Sequence, residues 1–95
     1  MDKIEVRNVT SPGHVTRVDA AKYNDMKQAV LAVLPSGPPG MTPKDVIAGA
    51  KAHLSPTLFP GGEKAGWWMK CVQLDLEFKG EIRRAEKAPV RLWRV

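Results

Sequence analysis

The chain has 95 residues, a formal net charge of +5 and a sequence pI of about 9.7. A hydrophobic fraction of 43% and a charged fraction of 26% argue against wholesale disorder, and the length fits one domain, 1–95, with a modest core. One cysteine excludes an internal disulfide, which favours a cytoplasmic setting, and the sequence carries neither a secretory h-region nor an apolar run of membrane-spanning length.

In chain order, Ile4 to Val9 alternates and predicts a strand, Ser11-Pro12-Gly13 signals a turn, and His14 to Val18 can be extended again. Taken alone, the first strand lacks a partner, so it is expected to pair with a later strand or with a second subunit. Asp19 caps a helix from Ala20 to about Leu34, with Tyr23, Met26, Val30, Val33 and Leu34 on its inner face and Lys22, Asp25 and Lys27 away from it. Pro35 stops it. Thr42-Pro43-Lys44-Asp45 starts a second helix, running to about Leu54, with Thr42 as cap, Pro43 at the first helical position and Asp45 in the first turn. Leu58 and Phe59 are expected to plug the core from the following loop.

The stretch Glu63 to Gly80 predicts the long helix around which the fold is organised. Ala65, Trp68, Met69, Val72 and Leu76 make one apolar face. Trp67, Cys71, Leu74 and Phe78 make a second strip, and only Gly66, Lys70, Gln73 and Glu77 remain for water. Lys79-Gly80 is a basic last turn followed by a residue suited to the left-handed cap. Gly66 is expected to allow close packing. After Gly80, Glu81 to Ala85 and Val90 to Val95 read as the strands of a hairpin, with Ile82, Val90 and Leu92 inward and Arg83, Arg91 and Trp93 outward. From Lys79 to Val95 six basic residues stand against two acidic ones, a net of +4.

The predicted fold class is α+β: a winged helix-turn-helix with a short N-terminal strand or arm (1–18), three helices (19–80) and a C-terminal β-hairpin wing (81–95). Such domains place the third helix in the major groove and the wing on the flanking backbone. Arg83, Arg84, Lys87 and Arg91 are then candidate phosphate contacts, and Lys64, Lys70 and Gln73 candidate base contacts. The Trp67, Leu74 and Phe78 strip argues the other way, because a groove-reading helix is polar on that side. If uncovered, the strip is a protein-binding patch.

Four segments carry a wider resemblance: Arg17-Val-Asp-Ala-Ala-Lys-Tyr23, Leu58-Phe-Pro-Gly-Gly62, Lys64-Ala-Gly-Trp-Trp68 and Val72-Gln-Leu-Asp-Leu-Glu77. Together they resemble a family of short uncharacterised bacterial proteins assigned to the winged-helix group. The resemblance implies the fold and supplies no substrate, cofactor or site residues.

Double-stranded DNA and a second copy of the chain are therefore the two expected partners. The alternative to nucleic-acid binding is self-association or protein contact, and the apolar strip and unpaired first strand favour a dimer. No catalytic residue, metal site or cofactor is expected. His14 and His53 are the only histidines, and no His/Cys cluster has zinc spacing. Gly61-Gly62-Glu63-Lys64-Ala65-Gly66 lacks a P-loop ending. Cys71 reads as a small core residue, and Trp93 is expected to pack, with the N-terminal strand as one candidate neighbour.

Overall fold

The computed structural model describes residues 2–11 and 13–95. Two strands, β1 (Lys3–Arg7) and β2 (Val15–Asp19), open the chain. Three helices follow: α1 (Ala20–Val33), α2 (Pro43–Lys51) and α3 (Ala65–Lys79). Strands β3 (Ile82–Arg84) and β4 (Leu92–Arg94) close it. The architecture is α+β with a winged-helix-like layout.

The helix boundaries follow the local chemistry. Asp19 accepts a hydrogen bond from the Lys22 amide at 3.1 Å, and Thr42 accepts one from the Asp45 amide at 3.3 Å. Gly80 ends α3 at φ 80°. Lys64 precedes α3 at φ 60°, a conformation uncommon for a residue with a Cβ, and no side chain caps that end.

The three helices share one core. Tyr23, Met26, Ala29 and Val30 of α1 are buried with Val46 and Ala50 of α2. Ala65, Trp68, Met69, Val72 and Leu76 of α3 join them, and Phe59 closes the core edge-on to Trp68, with ring centroids 6.2 Å apart. Asp25 lies off the buried face of α1 and is half-buried. It accepts a hydrogen bond from the Ser55 amide at 2.8 Å, tying α1 to the loop after α2.

At the C-terminal end, Ile82 and Leu92 point inward as their spacing predicts. Val90 does not: it is exposed, because β4 begins two residues later. Met41 adds a bridge to Leu92, each amide donating to the other's carbonyl at 2.8 Å. The wing is thereby anchored to the segment just before α2. Trp93 shares a surface depression with Pro38 and Pro39.

The first strand finds its partner within the chain. β1 pairs antiparallel with β2, from Lys3 opposite Asp19 to Arg7 opposite Val15. Pro12 of the expected turn lies outside the described residues. The dimer argument built on an unpaired first strand therefore lapses, since β2 satisfies it.

Candidate interaction face on the third helix

The outward side of α3 decides what this domain can touch, and β1 lies on it. The Val9 amide donates to the Leu74 carbonyl at 3.3 Å, and the Arg7 amide donates to Asp75 Oδ1 at 2.7 Å. Cys71 and Leu74, in the middle of the apolar strip, are half-buried beside this hairpin. The strip's two ends stay open. Trp67 is 58% exposed and Phe78 41%, the latter with the Arg7 guanidinium 5.7 Å from its ring centre.

Asp75 is the buried centre of this contact. It has no exposed surface and gathers donors from three elements. The Tyr23 hydroxyl of α1 donates to Oδ2, Lys79 Nζ donates to the same oxygen at 2.8 Å, and the β1 backbone donates to Oδ1. Every buried polar side-chain atom among the described residues has a partner. Burial first, and then the hydrogen bond to the Asp75 carboxylate, pushes the Tyr23 phenol well above its ordinary pKa. Nothing in the local sequence marks Asp75 as buried beyond one signal: an acidic residue flanked by Leu74 and Leu76 in a largely apolar helix, one turn before a lysine.

The expected nucleic-acid residues fall into two groups, one on the wing, where Lys87 and Arg91 line one depression, and one on α3. Gln73, expected in the water-facing arc, is buried and donates to Glu77 Oε2 at 3.0 Å. Its place in the water-facing arc is overturned, because its amide is inside. Arg84 forms a two-pronged pair with Glu77, at 2.8 and 2.9 Å, and faces the helix rather than solvent anions. Arg83 and Lys87 are exposed on the wing, and Arg91 is half-buried there. Lys64 and Lys70 are exposed near the opposite end of α3. Lys70 stands roughly 15 Å of helix before Gly80, and Leu74, the paired Glu77 and Phe78 come between. Gly66, expected to pack closely, has open space where a Cβ would go.

Between the hairpin and α3 lies a half-open cleft of about 310 Å³. Arg7, His14 and Lys70 are among its lining residues with Trp67, Cys71 and Leu74, and no carboxylate is. On the other side of Trp67 a second depression is lined by Lys22, Lys64 and Trp68. Trp67 is thus an exposed aromatic flanked by lysines. Among the described residues, neither Lys64 nor Lys70 makes an ion pair.

The Cys71 thiol is pushed up to about 11, by burial first and by the Asp75 charge second. At neutral pH that leaves roughly a hundredfold less thiolate than an ordinary cysteine has. Iodoacetamide at pH 7.5 is expected to label Cys71 far more slowly than free cysteine, with the rate recovering on unfolding in urea. Labelling at the free-cysteine rate in the native protein would contradict this placement.

Among the described residues no group of three or more His, Cys, Asp or Glu side chains could hold a metal ion, and no helix is long and apolar enough to cross a membrane. The model of DUF6958, a family of unknown function, matches residues 3–92. The chain belongs to that family. The match spans the N-terminal hairpin, all three helices and β3 and ends at the first residue of β4, so the hairpin-on-helix arrangement lies within the family region. No curated protein and no solved structure matches the chain.

Proposed function

We propose that this DUF6958 domain is a binding module and not an enzyme, and that it uses the face built from α3 and the N-terminal hairpin to contact another protein. The observation that carries this reading is the docking of β1 along α3. With the Val9 amide on Leu74 and the Arg7 amide on Asp75, the side of α3 that a groove-reading helix would offer is partly occupied by the protein's own strand. What remains is an exposed tryptophan beside a cleft, the kind of aromatic anchor that dominates protein interfaces. Self-association is the weaker form of this reading. The N-terminal strand is already paired, and two chains of net charge +5 repel where their lysines meet.

A second reading is phosphate contact through the wing. It is favoured by the exposure of Arg83 and Lys87 and by their having no ion pair among the described residues. Fluorescence anisotropy with a mixed-sequence duplex DNA separates the two. The protein-contact reading expects only weak binding that vanishes between low and physiological salt. Tight binding at physiological salt, lost on Arg83→Glu with Lys87→Glu, would favour the wing reading, and loss on Lys64→Glu or Lys70→Glu would restore the groove reading.

A further inference from the structure

One edge of the N-terminal hairpin is unused, and its register shows which groups it offers. The Arg7 amide points away from β2, toward Asp75, so Arg7 and Val15 form a wide pair without mutual hydrogen bonds. The Ala20 amide donates to the Asp2 carbonyl at 3.0 Å, which fixes the same alternation from the other end of the hairpin. Glu5 opposite Arg17 is then also a wide pair. The amides and carbonyls of Val15 and Arg17 therefore point out from the free side of β2. Among the described residues no backbone group outside the hairpin bonds to them.

This edge stands over the cleft. Thr16 and Val18 of β2 line it from the sheet side, and Gly66, Trp67 and Lys70 line it from α3. A strand added beside β2 would extend the sheet over the cleft and send alternate side chains toward Trp67 and Lys70. The missing Cβ of Gly66, with nothing within 4 Å of where it would be, keeps room for them. The charges select the occupant. Arg7 and Lys70 line the cleft, Lys22 and Lys64 flank Trp67 on its other side, and no carboxylate lines either depression. A second copy of this chain would bring like charges together.

We propose that the free edge of β2 accepts an acidic, extended segment of a partner protein as a third strand, with apolar side chains against Trp67 and carboxylates beside Lys70. This rests on the protein-contact reading above and names the partner's chemistry.

The test is an NMR titration of the isotope-labelled protein, with a blocked peptide in which threonine alternates with valine and glutamate. That alternation puts valine and glutamate on one face of a strand. A parallel titration uses duplex DNA. The peptide is expected to shift the amides of Val15, Arg17, Trp67 and Lys70. Arg17→Pro removes an outward donor without touching the β1 ladder, and Lys70→Glu reverses the charge at the rim. Each is expected to weaken binding roughly tenfold or more, with the melting temperature of each variant showing that the fold is kept. A peptide with lysine in place of glutamate is expected not to bind. No binding of the acidic peptide, or binding indifferent to Arg17→Pro, overturns strand addition and leaves the protein-contact reading standing. DNA shifting Lys64 and Lys70 overturns both. A dimer seen in sedimentation and lost on Arg17→Pro assigns the edge to a second copy and overturns the acidic partner.

Discussion

Replacing Asp75 with leucine is expected to lower the melting temperature by more than any surface substitution in this protein. The change removes the acceptor shared by Tyr23, Lys79 and the Arg7 amide. Lys79 is partly exposed and can turn to water. The Tyr23 hydroxyl cannot turn to water, and the Arg7 amide, held between hairpin and helix, is poorly placed to do so. Each orphaned buried donor costs about 1–3 kcal/mol, so a loss of about 3 kcal/mol is expected. In a domain of this size that is a fall in Tm of roughly 12–24 °C. Thermal unfolding followed by circular dichroism reads it, and a variant melting within a few degrees of the parent would remove Asp75 from the centre of the fold. The same site sets an alkaline limit. Tyr23 is raised, so its neutral form is the one that the fold prefers. Its contribution is complete below the ordinary tyrosine pKa and is lost as pH climbs above it. Cys71 has the same sign, its share fading between about 9 and 11. Stability is therefore expected to fall with rising pH from about 9 upward, and Tyr23→Phe should flatten the upper part of that decline.

Gly40→Ala is expected to be nearly as damaging, for a backbone reason. Gly40 has φ 80°, and a Cβ there would meet the Leu92 carbonyl oxygen at 2.5 Å and its carbon at 2.9 Å. Those atoms belong to the bridge between Met41 and β4, so the new methyl pushes the wing off its anchor. Gly80 supplies the control. It has the same φ of 80°, but a Cβ would meet nothing within 4 Å. Gly80→Ala should therefore cost only the left-handed conformation, about 1 kcal/mol. Gly40→Ala adds the clash and should cost at least about twice as much. Urea midpoints of the two variants measure the difference. Equal losses would mean that the close approach of Gly40 to β4 is absent in solution.

Much of the frame was legible in the sequence because its signals are local. Asp19, Thr42 and Gly80 terminate helices through groups within a few residues of themselves. The inner face of α3 from Ala65 to Leu76 follows from helical spacing alone. The N-terminal hairpin was only half legible. The second strand does not alternate cleanly, since Val15 and Val18 fall on opposite faces, so its pairing with β1 is a tertiary choice. Gln73 is buried against its helical spacing, and the burial of Asp75 is not legible, for a related reason. A polar side chain in a helix reads as solvent-facing unless its partners are known. Here two of the three partners of Asp75 come from α1 and β1, 52 and 68 residues away in the chain. The cleft and the free edge of β2 follow from that docking, so neither could be seen until the hairpin was placed.

Amide hydrogen exchange at Arg7 and Val9 tests the account most directly. Both amides donate to α3, Arg7 to the Asp75 carboxylate and Val9 to the Leu74 carbonyl. Neither bond belongs to the hairpin's own ladder, so protection at these two positions reports docking of the hairpin on the helix. The expected result is slow exchange at both, lost together in Asp75→Leu. Exchange at unprotected rates in the parent protein would mean that the hairpin does not cover α3. That would return the whole outer face of the helix to a groove-reading role.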